Sequence, residues 1–368
     1  MRVPVFDPVP AEAPIAGELA QAVSRVARSG RFILGPEVEA FEEAVARFVG
    51  VKFAVGVSSG TDALTVALLA LGLEPGDEVI TTPLSFFATA EVIVRLGAVP
   101  RFTDIDPTTF NMEVSGVDAL IGPRTKAILP VHLYGQPADL RALGELAARR
   151  GVPVVEDAAQ AFGAALGGRR AGAWGTLGCF SFFPTKPLGG WGDGGMVVTS
   201  DAALAERCRR LRAHGSIGKH EHTLLGGNFR LDALQAAVLG VKLRYVDEWR
   251  EARREIAEEY TAALGASGAA AVTTPAVADG ASHAWALYTL RSARRDALVR
   301  ALAAAGIATA VHYPKPLYAQ PALAHLGVPA GACPEAERAA REVVSLPIYA
   351  GLDRAARERV VGAVRGAV

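Results

Sequence analysis

The sequence predicts an α/β protein with two parts, a large, mostly parallel sheet covered by helices on both faces and a smaller C-terminal α+β domain. The chain has 368 residues, 51% of them hydrophobic, which is enough to bury the cores of two domains. Apolar strands alternate with amphipathic helices from residue 53 to residue 156, and that alternation is typical of a parallel sheet. Long helices then follow, so we expect residues 1–248 to form an arm and the large domain, and residues 249–368 the small domain.

Each element is predicted from the spacing of apolar residues. Helical spacing over residues 15–29 and 36–49 precedes the alternation, and we expect the first fifty residues to form an arm. The strand and helix pairs of the alternation are then 53–57 with 61–71, 78–81 with 86–96, 99–102 with 117–121, 127–130 with 138–149, and a last strand at 154–156. The C-terminal part is predicted to contain one or two helices over 231–264, a strand over 285–290, and helices over 294–305 and 334–343.

Composition limits the classes of function. The 38 basic and 38 acidic residues cancel, so nothing indicates a nucleic-acid or anionic-membrane surface, and small molecules are the expected partners. Cys179, Cys208 and Cys333 are too few and too scattered for a disulfide framework or a zinc site, and we expect no bound metal. The first residues lack the layout of a signal peptide, and no apolar run approaches the roughly 20 residues that span a bilayer. We therefore expect a soluble cytoplasmic protein.

Lys186 has an unusual setting. It lies between Pro184 and Pro187, and a glycine-rich loop leads from it into a second apolar strand that ends at Thr199. Such a loop can bring the backbone close to a flat ligand. The functional interpretation is an amine, kept partly desolvated, that forms a Schiff base with a carbonyl cofactor. The plain alternative is an exposed loop lysine.

Ser59, Gly60 and Thr61 stand where the first predicted strand ends and a helix begins. Free N–H groups and the positive end of the helix dipole make such a junction an anion site, with the two hydroxyls as further donors. The alternative is that Ser59 is only a helix cap.

Glu156 and Asp157 lie at the end of the last predicted strand. An acid there can hold a pyridinium N–H by a charge-assisted hydrogen bond, which makes the ring a better electron sink. Because side chains alternate along a strand, these two carboxylates point to opposite faces and one of them alone can meet the ring. We expect that residue to be Asp157. The alternatives are a metal ligand or a helix cap, and no cluster of His, Cys and carboxylate residues supports a metal.

Two more groups complete the candidate site. Phe86 or Phe87, after the predicted strand 78–81, offers an aromatic ring to stack on a flat ligand, unless it belongs to the core. Asn228 and Arg230 lie on a glycine-led loop before a long helix, and the plain alternative makes Arg230 a solvated charge.

Together these groups resemble the sugar aminotransferases of the DegT/StrS family, which use pyridoxal 5′-phosphate. The resemblance covers nearly the whole chain and includes the segments SSGTDAL, VEDAAQAFGA, SFFPTKPLG, GGNFRLDALQAAVL and TAVHYPKPLYAQPA in one order. It implies an aspartate-aminotransferase-like fold (fold type I) and a homodimer whose active sites are shared across the interface.

The resemblance also implies a role for each matching residue. Lys186 matches the Schiff-base lysine, Asp157 the partner of the pyridine nitrogen, and Gln160 a contact to the phenolic oxygen of the cofactor. Phe86 matches the aromatic residue stacked on the ring. The phosphate cup is implied to contain Ser59, Gly60, Thr61 and Ser181 of one subunit, with Asn228 reaching in from the other. Arg230, His312 and Tyr313 match positions that line the sugar-nucleotide site.

The implied activity moves an amino group from an amino acid, with L-glutamate the expected donor, to a nucleotide-linked keto sugar. The product would be an amino sugar for cell-surface polysaccharide or related glycans. The segments FPTKPLGGWGDGG and TAVHYPKPLYAQPA are more similar to family members that aminate C3, including those acting on 3-keto uronates, than to C4 enzymes. Amination at C4 is the first alternative. A pyridoxal-dependent sugar dehydratase, which has histidine in place of Lys186, and a regulatory or sensor protein without turnover are the others.

Overall fold

The computed structural model describes residues 2–218, 220–266 and 272–367. Within them, seven strands form the central sheet: β1 (Phe53–Val57), β2 (Glu78–Thr81), β3 (Val99–Phe102), β4 (Thr125–Leu129), β5 (Val155–Asp157), β6 (Leu177–Ser181) and β7 (Gly195–Thr199). Their order across the sheet is β3, β2, β4, β5, β6, β7, β1. β7 runs antiparallel to both neighbours and the other pairings are parallel, which confirms the mostly parallel sheet.

Helices surround the sheet and build the smaller domain. The longer ones are α1 (Ala16–Ser29), α2 (Pro36–Val49), α3 (Gly60–Ala70), α4 (Ala88–Arg95), α5 (Leu140–Arg150), α6 (Ala202–Leu211), α7 (Ala233–Lys242), α8 (Val246–Ala266), α9 (Arg295–Ala304), α10 (Pro334–Glu342) and α11 (Arg354–Ala367). No helix in the described ranges is both long enough and apolar enough to cross a bilayer.

Both faces of the sheet are buried because successive strand residues join different cores. Ala54 and Phe180 pack in a cluster with side chains of α1, α2 and α7. Their neighbours Val55 and Cys179 pack in a second cluster with side chains of α3 and α6. This two-sided burial is what a parallel sheet with near-continuous apolar strands requires.

The smaller domain is built on an antiparallel pair, β8 (Tyr288–Arg291) and β9 (Val343–Leu346). Its core gathers residues of α8, α9 and α11 around these strands, among them Tyr260 and Leu302. The strand was expected to begin at Trp285, but that residue has a φ of 51°, and a left-handed backbone is incompatible with a strand.

Two other expectations need adjustment. The helical stretch expected over 231–264 is two helices, α7 and α8, joined by the 3₁₀ turn Leu243–Tyr245. The arm is short, because α1 and α2 are amphipathic and bury residues such as Leu19 and Phe41 in the large core. Residues 2–12, which we call the arm from here on, extend to the small domain, where Val3 pairs with Ile307.

The end of β5 matters most for the site. The strand runs one residue further than expected, because the backbone N–H of Asp157 donates to the Pro130 carbonyl at 2.9 Å and the Asp157 carbonyl accepts from His132 N–H at 3.0 Å. Asp157 is therefore held within the ladder, and its side chain direction is fixed by the strand.

Candidate active site

A cavity of about 470 Å³ opens at the carboxyl ends of β1, β5 and β6. Ligand sites of open α/β sheets lie at this edge. Ten of the twelve residues expected in the site line this cavity: Ser59, Gly60, Thr61, Phe86, Asp157, Gln160, Ser181, Lys186, His312 and Tyr313. The structure therefore brings together side chains that are up to 254 positions apart in the chain, counting from Ser59 to Tyr313. Asn228 and Arg230 do not line it.

The junction between β1 and α3 forms a tight cup. Ser59 caps α3, accepting from Asp62 N–H at 3.0 Å and donating to the Asp62 carboxylate at 3.0 Å. A Cβ at position 60 would lie 2.6 Å from the Cβ of Ser181, so Gly60 lets β6 approach the helix start. The first N–H groups of a helix have no partner within it. The cup thus combines those donors with the Thr61 and Ser181 side chains, while the Ser59 hydroxyl serves the helix cap.

Asp157 is a buried carboxylate with few protein donors. Its side chain is 4% exposed, Oδ2 accepts from Thr89 Oγ1 at 2.8 Å, and Oδ1 accepts from Ala159 N–H at 3.2 Å. Burial raises the pKa of Asp157, and the Thr89 and Ala159 hydrogen bonds with the charge of Lys186 oppose that rise. A cationic N–H placed beside this carboxylate would therefore be strongly favoured.

Glu156 points to the opposite face, as strand alternation predicts. Its carboxylate is fully buried and accepts from the backbone N–H groups of Gly172, Trp174 and Gly175 at 2.6–2.7 Å. The ring of His132 lies 2.8 Å away, and because His132 Nδ1 accepts from Ala138 N–H, its Nε2 donates to Glu156. Glu156 thus anchors the 172–175 turn and has no place in the cavity.

Thr89 is the site residue that sequence reasoning missed. Its hydroxyl lies in the first turn of α4, buried between Ser85 Oγ at 2.8 Å and Asp157. The available signal was a hydroxyl three residues after Phe86, at the start of a helix that follows a strand end. Ser85, Thr89 and Asp157 form one hydrogen-bonded chain that ends on the carboxylate.

Replacing Thr89 with valine is expected to slow the reaction that depends on ionised Asp157 by roughly 10–100-fold, because a hydrogen bond to a charged group is lost without a change of shape. The same loss raises the pKa of Asp157 further, so the acid limb of the pH–rate profile should move to higher pH. Rates measured across pH for Thr89→Val and for Thr89→Ser, which keeps the hydroxyl, test this. Identical profiles for the two variants would contradict the role of Thr89.

Lys186 is carried by a loop, residues 182–194, that folds back on itself. Lys186 N–H donates to the Phe183 carbonyl at 2.8 Å, and Gly190 N–H donates to the Phe182 carbonyl at 2.7 Å. A Cβ at position 189 would lie 2.3 Å from the Pro184 carbonyl oxygen, so glycine is required there. Burial lowers the pKa of the Lys186 amine, and the charge of Asp157 opposes that shift. We call residues 182–194 the lysine loop.

The aromatic wall is made by Phe86. Its ring is 56% exposed, lines the cavity and lies 6.3 Å from the ring of Tyr313. Phe87, the alternative, packs against the cluster around Leu317 and Leu323 instead. Of the two phenylalanines, Phe86 is the ring that a ligand can meet.

His312 and Gln160 border the cavity with fixed orientations. Gln160 Oε1 accepts from Tyr134 N–H at 2.7 Å, and its Nε2 donates to the Tyr313 hydroxyl at 3.2 Å. His312 Nδ1 lies 3.0 Å from Ser345 Oγ. Burial, with the charge of Lys186, lowers the pKa of His312 to about 4, so the ring is neutral near pH 7. His312 can therefore offer a neutral nitrogen to a ligand.

Asn228 and Arg230 lie outside this chain's own cavity. The Asn228 side chain is exposed, and the backbone of its loop is fixed by bridges from Ala213 to Asn228 and from Val57 to Arg230. Arg230 Nε is buried without a hydrogen-bond partner among the described residues. The loop backbone is thus attached at the sheet edge, while Arg230 Nε finds no acceptor within the described part of the chain.

The donor set suits a flat, phosphorylated aldehyde better than a metal. No group of three or more His, Cys, Asp or Glu residues that could hold a metal ion occurs in the described part of the chain. The cavity instead offers an anion cup, a ring wall at Phe86, a carboxylate at Asp157 and an amine at Lys186. These four features match the phosphate, ring face, ring nitrogen and aldehyde of pyridoxal 5′-phosphate.

Comparison with known proteins agrees with this geometry. Residues 14–365 match the DegT/DnrJ/EryC1/StrS aminotransferase family. The chain is 47% identical over 361 residues to a pleiotropic regulatory protein of Geobacillus stearothermophilus, covering 98% of this chain and 97% of the relative. It is 46% identical over 364 residues to the dTDP-3-amino-3,4,6-trideoxy-alpha-D-glucose transaminase of Streptomyces venezuelae, covering 99% of this chain and 96% of the relative.

Two solved structures are similar over nearly the whole fold. The crystal structure of S. venezuelae DesV in complex with a ketimine intermediate superposes with a TM-score of 0.96 at 46% identity, covering 99% of this chain and 98% of that one. The crystal structure of NtdA from Bacillus subtilis with bound cofactor PMP gives a TM-score of 0.88 at 30% identity, covering 96% and 81%. These similarities confirm the expected aspartate-aminotransferase-like fold.

Proposed function

The chain belongs to the DegT/DnrJ/EryC1/StrS aminotransferase family, and on that premise we propose that it moves an amino group from L-glutamate to C3 of a nucleotide-linked keto sugar. Members of this family depend on pyridoxal phosphate. The observation that carries the proposal is the meeting of Lys186, Asp157 and the Gly60 cup in one cavity. Position C3 is supported by the transaminase of S. venezuelae, whose name specifies a 3-amino sugar.

In this proposal the cup at the start of α3 would hold the cofactor's phosphate, and Phe86 would stack on its ring. When bound, pyridoxal phosphate supplies an aldehyde carbon that carries the amino group and a ring that withdraws electrons from the reacting carbon. Asp157 holds the proton on the ring nitrogen, and Thr89 keeps the Asp157 carboxylate ionised and oriented. Gln160 donates its amide N–H to the phenolic oxygen.

Lys186 acts twice in the proposed cycle. Its amine would be the group that holds the cofactor covalently, and the amino group of the donor amino acid would take its place and leave the lysine amine free. The freed Nζ then takes the proton from the donor's α-carbon, and in the second half-reaction it returns a proton to C3 of the sugar. Burial lowers the pKa of Lys186, which increases the fraction of neutral amine able to act as a base. Glutamate and the keto sugar use the same base in turn.

Arg230, His312 and Tyr313 are proposed to contact the sugar nucleotide. His312 and Tyr313 line the cavity from the small domain side, and Arg230 Nε has no hydrogen-bond partner among the residues that the structure describes. We propose that Arg230 and Asn228 complete the site of the partner subunit in a homodimer, with Asn228 donating to the cofactor's phosphate. Their positions outside their own chain's cavity support this arrangement.

The decisive experiment uses the purified protein. An absorption band near the visible edge that changes on adding glutamate, with release of 2-oxoglutarate, is the expected result. Adding dTDP-linked or UDP-linked 3-keto and 4-keto sugars then restores the band, and NMR of the product locates the new amine. A C3 amine supports the proposal, a C4 amine replaces it with the C4 alternative, and a deoxygenated product without nitrogen indicates a dehydratase.

A regulatory role is the second candidate, because the name of the G. stearothermophilus relative describes a regulatory protein. A sensor of this kind would bind the cofactor without transferring nitrogen. A stable band that glutamate does not change, with no 2-oxoglutarate formed, would favour the sensor. The complete set of side chains in the cavity favours the enzyme.

Mixed dimers test the proposed sharing of the site. Lys186→Ala and the double variant Asn228→Ala, Arg230→Ala are each expected to be inactive. In a mixed dimer, one pocket receives an intact lysine from one chain and an intact loop from the other, so random re-association should restore activity in about a quarter of the pockets. Mass spectrometry of the mixture confirms that mixed dimers have formed.

The matched control combines Lys186→Ala with Asp157→Asn. Both residues line the same chain's cavity, so every pocket in that mixture carries one defect and no recovery is expected. Equal inactivity of both mixtures, with mixed dimers present, would refute the sharing of Asn228 and Arg230.

A further inference from the structure

A second, smaller cavity lies on the other side of the lysine loop. Its volume is about 50 Å³, and three parts of the chain meet around it: the arm, the lysine loop and the small domain segment 348–350. Helices α7 and α8 complete the wall with Lys242, Trp249 and Arg253. Lys186 and Thr185 border both this cavity and the larger one, so the lysine loop separates the two. We call it the back cavity.

Arg253 is the unusual residue of the back cavity. It is 7% exposed, Nε donates to the Ala284 carbonyl at 3.0 Å, and Nη2 is buried without a hydrogen-bond partner among the described residues. Burial and the nearby positive charge of Arg250 lower the pKa of Arg253 to about 10, so the guanidinium is still cationic near pH 7. Within the described ranges, no carboxylate compensates its charge.

The other charged groups around the cavity do not neutralise Arg253. Glu12 is engaged by Lys242, whose Nζ also donates to the Gly189 carbonyl at 2.8 Å, and by Trp191 Nε1 at 2.7 Å. Asp7 accepts from Val9 N–H at 3.0 Å within its own turn. Lys186 adds a further amine to the wall. With Glu12 and Lys242 paired, the remaining lining has two basic groups and one acid.

The histidine next to Arg253 reflects the same uncompensated charge. His283 is buried, and burial together with the charge of Arg253 lowers the pKa of the His283 ring to about 3. A buried cation without a counter-ion is costly, and proteins pair such charges or bind an ion beside them. An acceptor that the described protein atoms do not supply is therefore missing at Nη2.

We propose that the back cavity binds one small monovalent anion, of the size of chloride, which pairs with the Arg253 guanidinium. The volume limits the ligand to a few atoms, because a single water needs roughly 10–15 Å³ of such space and the back cavity offers about 50 Å³, against about 470 Å³ in the larger cavity. The anion would lie where the arm, the lysine loop and the small domain meet, and its charge would help to hold these three parts together.

Bromide diffraction tests the site in the unaltered protein. Crystals grown with sodium bromide as the salt, with data collected at the bromine absorption edge, are expected to show an anomalous peak within hydrogen-bonding distance of Arg253. A parallel crystal grown in sodium formate shows whether a planar carboxylate can occupy the same position. Ordered water at Nη2 in both crystals, without an anomalous peak in bromide, would overturn the proposal.

Thermal unfolding in solution tests the energetic link. The holoenzyme is exchanged into sodium gluconate, whose anion is too large for the cavity, and chloride is titrated in at constant ionic strength. A saturable rise in Tm of about 2–4 °C is expected for the wild type and should be absent in Arg253→Met. Arg354→Met, which removes an exposed arginine whose side chain is 82% accessible, is the matched control and should keep the rise.

Arg253→Lys keeps the positive charge and replaces Arg253→Met if the methionine variant does not fold. For Arg253→Lys we expect a smaller but still saturable rise in Tm with chloride. A rise of equal size and midpoint in wild type and in the Arg253 variants would place chloride elsewhere. The inference is independent of the proposed function, because neither measurement depends on turnover.

Discussion

Lys186→Ala is expected to abolish amino transfer, lowering the rate by about 10⁴-fold or more, because the residue is both the covalent anchor and the base of the proposed cycle. The fold should be unaffected, since the lysine loop is held by backbone contacts such as Gly190 N–H to the Phe182 carbonyl at 2.7 Å. Cofactor should still bind without a covalent bond, because the Gly60 cup and Asp157 remain. The first measurement is the rate of 2-oxoglutarate release from glutamate.

Borohydride reduction tests the role of Lys186 as covalent anchor separately from its role as base. Reduction followed by mass spectrometry of peptides should attach the cofactor to Lys186 in the wild type and to no residue in Lys186→Ala. Lys315→Ala, which removes an exposed lysine close in sequence to His312, is the matched control and should be labelled at Lys186 as before. Labelling of another lysine in Lys186→Ala would show that the Schiff-base residue has been wrongly identified.

Asp157→Asn is expected to raise the barrier of the glutamate half-reaction by about 3–5 kcal/mol, as for other groups that stabilise developing charge. The neutral amide cannot keep the ring nitrogen protonated, so the electron sink is lost while the shape is kept. The cofactor-free protein should not be destabilised, because burial raises the pKa of Asp157 and the ionised carboxylate is already unfavourable there. Single-turnover rates with glutamate measure the barrier.

Glu156→Gln is the matched control on the neighbouring residue. It loses charge-assisted hydrogen bonds from three backbone N–H groups and His132, so we expect a lower Tm and a nearly normal single-turnover rate. We therefore expect Asp157→Asn to lower the single-turnover rate and Glu156→Gln to lower the Tm. Near-wild-type turnover of Asp157→Asn would remove Asp157 from the proposed site.

The sequence predicts those parts of the site that depend on strand order and alternation. Glu156 and Asp157 could be sorted because a strand sends neighbouring side chains to opposite faces. In the structure Glu156 contacts the 172–175 turn, whereas Asp157 lines the cavity. Side-chain periodicity could not sort Phe86 and Phe87, because they lie before the start of α4, and the choice of Phe86 came from the family resemblance. The Ser59 hydroxyl caps α3, as the alternative predicted, and its role as a further donor to an anion stays a prediction.

The role of Thr89 and the short length of the arm could not be predicted from the sequence for a different reason. The contact between Thr89 and Asp157 joins residues 68 positions apart, and the local pattern places the Thr89 hydroxyl near a strand end without showing which residue it contacts. The arm was overestimated because amphipathic helices look the same whether their apolar face meets the core of their own chain or a second one. In the sequence, Arg253 likewise looks like one of several charged residues on a long helix, and only its burial in the structure distinguishes it.

The fixed amide of Gln160 has a consequence for the form of the cofactor that the proposed site would prefer. Because Tyr134 N–H occupies Oε1 at 2.7 Å, the NH₂ end of the side chain is the donor on the cavity side, with one N–H donated to the Tyr313 hydroxyl at 3.2 Å and a second N–H for a ligand. An N–H donates more strongly to a charged oxygen than to a neutral hydroxyl. In the proposed site Gln160 would therefore favour the phenolate over the phenol. Gln160→Glu, which presents an acceptor instead, is the substitution that would reverse this preference.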